Sequence, residues 1–472
     1  MSEPAISPPA TASLTSLPRV LTLLDGTTLV VGAIIGSGIF LKVDKVDGAL
    51  KAFGFGPIIG VWVLMGFITL CGSLALGELA ALYPQAGGPY VYLREVYGRL
   101  PAFLWGWTEF WVVRTGAIGA LACATTLYFD QIVPLTHNQQ MLTAIAIVAG
   151  LSLSAILSTK GSAVIQNWLT FIKVSFLAAI IVLPVAMGYA DAGPGHWQPV
   201  WQPSGGTGFW EAMGVAIIAV MWPYHGWIDL APVAEEIKEP ERNVPRALGI
   251  GLGIVAGIYV LANLSYHLMF TMSEIAQTKT IAADVFQVLF GPIGAKIAAA
   301  GVMCSTLGAN NATVMCGPRI YFAMARDGLL PARLQHIHAR WQTPANAIFA
   351  QGVWAVLLIL VFFAWKEQPK AAFDALTDSV VCAGLVFFSM TVGAVYILRR
   401  TRPDAPRAYR TWGYPVTPAL LIGVYAFAFV RQMVDAPQQT FAIAGLIASG
   451  AVYYAWATRK QKASRGEGEP GS

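Results

Sequence analysis

Long apolar runs recur along the whole chain, separated by short polar links. About twelve of them are long enough to cross a hydrocarbon core of about 30 Å. They fall at 21–40, 58–83, 100–130, 141–157, 166–187, 209–235, 245–270, 293–324, 345–364, 374–397, 416–434 and 441–457. The runs are too long for strands and too apolar for amphipathic surface helices, so the pattern predicts an all-α polytopic membrane protein. Two runs are interrupted. The first contains "VVGAIIGSGIF", with Gly32, Gly36 and Gly38 close together and Ser37 between two of them. The sixth contains "AVMWPYHGWIDL", with Pro223, His225 and Gly226 near its middle.

Composition agrees with lipid as the main solvent. Of 472 residues, 56% are hydrophobic and 12% charged, against roughly 25% charged in a soluble domain. The net charge of +5 follows topology and does not call for nucleic acid. With the N-terminus inside, about 20 basic residues fall in cytoplasmic links and about 8 outside, as the positive-inside rule requires. Both termini are therefore expected in the cytoplasm of a cell carrying the protein in its plasma membrane. The basic run "LRRTRPDAPRAYR" reads as a topology anchor. The external link 188–208 carries Trp197 and Trp201, with Trp210 just beyond, as an interfacial belt would. Residues 1–20 read as a disordered cytoplasmic tail and not a signal peptide, and 459–472 as a second tail. Cys71, Cys123, Cys304, Cys316 and Cys382 all lie in apolar runs, where packing is their expected role and a disulfide framework is not.

The two interruptions say more than the runs. GAIIG also matches a helix-packing motif, so close helix contact is the simplest account of the first one. The sixth run repeats the design five spans later. Paired interrupted segments in corresponding positions point to a transporter built from two inverted repeats of five spans. Unwound backbone is costly in lipid but can line a polar cavity. N–H groups released after Ser37–Gly38 suit a carboxylate, and carbonyls released before each break suit an ammonium. A ligand carrying both groups close together is an α-amino acid. The expected organisation is a transport core over 21–397, with repeats at 21–187 and 209–397, followed by two additional helices within 398–458.

At these residues the chain resembles the amino acid–polyamine–organocation superfamily and, within it, the L-amino acid transporter family. Four segments carry the resemblance: "GSGIF", "GWTEFWVVRTG", "EEIKEPERNVPRAL" and "STLGANNATVMCGPRIYFAMARDGLLP". The resemblance implies a LeuT-like fold of 5+5 inverted repeats plus two C-terminal helices, with substrate between spans one and six and frequent obligatory exchange. It implies that Gly36, Ser37 and Gly38 form the carboxylate-binding turn and that Ile34 offers a carbonyl to the ammonium. Trp222 falls at a gating aromatic and His225 at a variable pocket position. Asn263 and Tyr266 match polar positions of span seven near the site, and Ser305 and Asn311 match span eight. "WPYHGW" departs from the commoner "FAYGGW", so the pocket's size does not carry over from relatives. The link 131–140 lacks the Cys that metazoan members use to bind a heavy chain, so no heavy-chain subunit is expected.

Three ionisable residues fall inside runs: Glu109, Arg114 and Lys173. Glu109 and Arg114 are five apart, too far round an ideal helix to pair, so each is expected to be capped by a neighbouring helix. Lys173 either snorkels to an interface or, as the resemblance implies, replaces a bound sodium ion, bridging the span-one break and Ser305. The leading expectation is sodium-independent exchange of neutral L-amino acids. Alternatives are proton-coupled symport, with Lys173 giving up its proton, and a membrane sensor that binds amino acids without moving them. No cofactor, metal or enzymatic activity is expected: no ligand spacing for a metal is present, and Ser37 has no triad-like partners. The imidazole of His225 fills room that relatives leave empty, which argues for small or medium substrates such as Ala, Ser, Cys or Thr, unless the ring points away from the site.

Overall fold

The structure is a computed structural model that describes residues 17–189, 195–202, 208–365 and 369–464. Most of the expected N-terminal tail and much of the C-terminal one therefore lie outside the described residues. Among those residues the architecture is helical, and a single isolated bridge, Leu21 to Ile237, is the one trace of strand pairing. Among the described residues, eleven helical spans are long and apolar enough to cross a membrane.

Span one is split into α1 (Leu23–Ile34), α2 (Gly38–Leu41) and α3 (Val43–Leu50). Thr22 caps α1, accepting from the Asp25 N–H while the Asp25 carboxylate takes the Thr22 N–H at 2.8 Å. Then follow α4 (Phe55–Leu82), α5 (Pro89–Tyr97), α6 (Arg99–Thr108), α7 (Arg114–Ile132), α8 (His137–Leu157) and α9 (Thr159–Ala186). The second half comprises α10 (Phe209–Met221), α11 (Pro240–Met269), the short α12 (Met272–Ile275), α13 (Ile281–Arg326), α14 (Ala345–Trp365) and α15 (Pro369–Thr401). The last two are α16 (Val416–Asp435) and α17 (Pro437–Ser464).

The expected sixth crossing, 209–235, is not a continuous helix. Pro223 has no N–H to continue the ladder and its ring clashes with the preceding turn, so α10 stops at Met221. The chain then advances in tight turns over His225–Ile228 and Ala231–Glu236. In α13 the long helix bends at Gly291, whose φ of 67° is followed by Pro292, so the expected start of span eight at 293 falls directly after the bend.

Burial separates a core from a periphery. In the span formed by α6 and α7, 78% of the most apolar window is buried inside the protein, against 17% for the α17 span. The lipid-facing side of α9 exposes Trp168 and Phe171, an apolar surface that lipid solvates at no cost. Trp201 and Trp210 are exposed as an interfacial belt requires, whereas Trp197 packs edge-on against Phe55, with ring centroids 5.1 Å apart. All five cysteines are free, and four are buried.

Candidate substrate site

The two breaks meet. A Cβ added to Gly38 would lie 2.5 Å from the Cα of Pro223, and one added to Gly226 would lie 2.5 Å from the carbonyl carbon of Ala33. Each break therefore presents a residue without a side chain where the other's backbone arrives. Tyr259, on α11, ties them together: its hydroxyl lies 2.9 Å from the Ile34 carbonyl and 3.0 Å from the Pro223 carbonyl.

Between the breaks lies a small cleft. Its walls include Ala33, Ile34, Gly36, Ser37 and Gly38 from span one, Trp222, His225 and Asp229 from span six, and Arg114 from α7. Ile35 has left helical geometry, with ψ of 92°. The N–H groups of Gly36 and Ser37 find no acceptor among the described residues. Free donors converge here on a space for a small anion-bearing ligand.

Lys173 is fully buried on the opposite side of the span-one break. Its ammonium donates to the carbonyls of Gly32 at 2.9 Å, Ile35 at 2.7 Å and Ser305 at 2.9 Å. The Ser305 hydroxyl lies 2.9 Å from the Gly36 carbonyl and 3.3 Å from that of Ile35. Three N–H donors thus meet three carbonyls, a coordination that a small monovalent cation could equally use. The geometry excludes snorkelling for this lysine.

Trp222 closes one side of the cleft. Its indole Nε1–H donates to the Ser37 hydroxyl at 3.1 Å, and its ring meets Phe373 of α15 edge-on. Behind Phe373 stands a charged cluster. The buried Lys42 ammonium reaches Asp374 at 2.9 Å, Thr377 at 2.8 Å and Asp378 at 3.3 Å, and Lys45 and Lys370 surround the same carboxylates. At the other end of the bundle, Leu21 pairs with the segment after span six: its N–H donates to the Glu236 carbonyl and its carbonyl accepts from Lys238. There Glu236 pairs with Arg319 at 2.8 Å and Glu235 with Arg326 at 3.2 Å. Buried ion pairs thus stand at both ends of the bundle.

Two expectations need correction. Asn263 and Tyr266 do not line the cleft. The Asn263 side chain donates to the Tyr259 carbonyl one turn below it, and the Tyr266 hydroxyl lies 3.4 Å from the Ile39 carbonyl, beyond the break. The α11 residue at the breaks is Tyr259, seven positions earlier on the same helix face. Glu109 and Arg114 are not separately capped either. A π turn over Glu109–Val113 joins α6 to α7, and its wider winding brings residues five apart into register. The Glu109 carboxylate takes Arg114 Nε at 3.0 Å and Nη2 at 3.3 Å, while Arg114 Nη1 donates to Asp229 at 2.8 Å. Asp229 is not among the expected site residues; its signal in the sequence is a carboxylate in the apolar stretch "GWIDLAPV".

His225 lies against the cleft with its ring stacked 5.7 Å from that of Trp222, and its Nε2 is buried without a hydrogen-bond partner. Asn311 is one layer away: it donates to Gln166 at 3.0 Å and accepts from the Ser162 hydroxyl at 2.8 Å, fastening α13 to α9.

Comparison with known proteins agrees with this architecture. The chain is 32% identical over 454 residues to the serine/threonine exchanger SteT of Bacillus subtilis (strain 168), covering 94% of this chain and 98% of that one. It is 28% identical over 449 residues to the b(0,+)-type amino acid transporter 1 of Homo sapiens, covering 93% and 88%. It is 29% identical over 400 residues to the human cystine/glutamate transporter, covering 84% and 76%. The model of the family described as amino acid permease matches residues 21–457. This multi-pass membrane protein belongs to the amino acid permease family.

Proposed function

We propose that the chain exchanges small neutral L-amino acids across the plasma membrane without sodium, by alternating access, with both termini in the cytoplasm. The observation that carries this reading is the meeting of the two breaks: free N–H groups at Gly36 and Ser37 face the cleft, while on the far side of the span-one break Lys173 takes the carbonyls a cation would use. The substrate carboxylate binds the Gly36–Gly38 turn, and its ammonium uses the second lone pair of the Ile34 carbonyl. Trp222 is the gate toward the Lys42 cluster, which faces outward. The two inverted repeats, 21–187 and 209–397, move about this fixed site.

Three features support a small side chain with a hydroxyl. Leu121, Trp222 and His225 narrow the cleft. Arg114 and Asp229 form a polar wall opposite the breaks, and the unpaired Nε2 of His225 can accept from or donate to a hydroxyl. The similarity to a serine/threonine exchanger agrees with that class. The link 131–140 has no cysteine, which supports a chain that works without a disulfide-linked heavy chain.

Proton coupling through Lys173 fits less well. A neutral amine has two N–H groups and a lone pair, and with three carbonyls within 2.9 Å that lone pair would face a carbonyl oxygen, a repulsive contact the ammonium does not have. Uptake into liposomes loaded with each of the twenty amino acids, with choline replacing sodium, tests the proposal. Stimulation by internal Ser, Thr, Ala or Cys is expected. Flux that requires sodium, or an identical rate in empty liposomes, would contradict it. The same assay on His225→Gly should broaden the accepted set toward larger side chains.

A further inference from the structure

The half of span one beyond the break is fastened to α11 by a buried contact that substrate binding does not use. Asp47 of α3 and His267 of α11 are both fully buried. His267 Nε2 lies 2.8 Å from a carboxylate oxygen of Asp47, and His267 Nδ1 lies 2.8 Å from the backbone carbonyl of Asn263. The second Asp47 oxygen is buried and has no partner among the described residues.

Counting protons makes this pair unusual. A carbonyl oxygen only accepts, so Nδ1 must carry a hydrogen to bond Asn263. At 2.8 Å the Nε2–Asp47 contact also needs a hydrogen, on the ring or on the carboxyl. Both contacts are hydrogen bonds only when the pair holds two protons, as imidazolium with carboxylate or as imidazole with carboxylic acid. A neutral ring facing an ionised carboxylate has one hydrogen for two acceptors. One lone pair then confronts an oxygen at hydrogen-bond distance.

We propose that Asp47 and His267 form a proton-binding site that clamps α3 to α11, and that loss of its second proton releases the outer half of span one. The inference rests on the alternating-access reading above and adds to it that this half-helix swings to open the outward side. A site that holds the proton more tightly when closed must favour the closed form as pH falls. The linkage is at most tenfold in the open-to-closed ratio per pH unit for one proton.

Among the described residues the surroundings do not supply another proton acceptor at the pair. Asp44 and Lys51 are the charged groups on its own segment that act on Asp47. From α4, the ring of Phe55 lies edge-on to the imidazole at 5.0 Å. From the link before α10, His196 Nδ1 contacts the His267 carbonyl, not its ring. Glu211 of α10 is exposed. On α12, Glu274 is held below the ordinary carboxylate range by the N–H and hydroxyl of Thr271. It stays ionised where histidine titrates. From α9, the carbonyl of Ile180 takes the Ser265 hydroxyl, and Lys173 is committed to the span-one break. From α13, Ser305 faces that same break, and Asp284 takes the Thr278 hydroxyl.

The test uses the full chain labelled with ¹⁵N-histidine; there are six histidines, and His267→Gln assigns the ring by difference. Between pH 5 and 9 the His267 nitrogens of the wild type should shift through one titration step. Asp47→Asn keeps both contacts without a second proton, because the Asn side-chain amide can donate to Nε2. In that variant the step should vanish within the range. In liposomes the wild-type exchange rate should show a pH step that Asp47→Asn flattens while keeping exchange itself. His267 nitrogen shifts that stay constant from pH 5 to 9, or an Asp47→Asn protein with the wild-type pH profile, overturn the proposal. If no exchange is found for the wild type, the transport reading fails while the nitrogen spectra still decide the proton site.

Discussion

Lys173→Met isolates the charge at the span-one break, since methionine fills similar volume without an ammonium. The three carbonyls lose different amounts. The carbonyl of Ser305 lies in the body of α13, where the helix supplies an N–H of its own. That of Ile35 keeps the Ser305 hydroxyl at 3.3 Å. The Gly32 carbonyl, whose helical successor Gly36 has left the ladder, loses its donor outright. One fully unpaired buried acceptor and two weakened ones amount to about 2–4 kcal/mol after the relief of uncovering no charge. At 1.4 kcal/mol per tenfold, the break should hold its binding geometry roughly 30- to 1,000-fold less often. Counterflow of labelled substrate in proteoliposomes should fall by more than tenfold, with the protein still monodisperse in detergent. Lys173→Ala leaves a hole rimmed by the same carbonyls, so sodium should raise its melting temperature while leaving the wild type unchanged. Wild-type counterflow from Lys173→Met would refute the reasoning.

Trp222→Ala should nearly abolish exchange, whereas Trp222→Phe keeps the ring cover and loses only the bond to Ser37, about 0.5–1.5 kcal/mol, or a few-fold in rate; equal rates for all three proteins in the same assay would rule out a gate. Tyr259→Phe unties the two breaks at a cost of about 1–3 kcal/mol and should weaken substrate binding, measured by calorimetry, without loss of folded protein. Arg114→Met leaves two buried carboxylates without a counter-charge and should cost about 3–5 kcal/mol, seen as loss of monodisperse protein, while Asp229→Asn leaves the Glu109–Arg114 pair balanced and should fold normally with altered substrate preference in competition uptake.

The breaks themselves were legible in the sequence because glycine and proline act locally: Pro223 stops α10 whatever surrounds it, and Gly38 and Gly226 are small because another backbone arrives there. For Lys173 the residues alone left snorkelling open, and only the resemblance pointed to the span-one break, where its ammonium meets three carbonyls. The misses share one cause, which is that they depend on the turn of a helix. A π turn is one residue wider than the period used to read the sequence, so Glu109 and Arg114 looked unpaired. Asn263, Tyr266 and Tyr259 share a face of α11, and only the height at which the breaks cross that face selects Tyr259. The Asp47–His267 contact joins residues 220 apart in sequence, and no local pattern marks it.

The central claim is that the backbone freed by the two breaks holds the two ends of an α-amino acid. A structure of the protein with the best counterflow substrate bound tests it most directly. The account predicts the carboxylate within hydrogen-bond distance of the Gly36 and Ser37 N–H groups, the ammonium toward the Ile34 carbonyl, and the side chain facing Arg114, His225 and Asp229. Density for the substrate elsewhere, with the Gly36–Gly38 turn unoccupied, would contradict it.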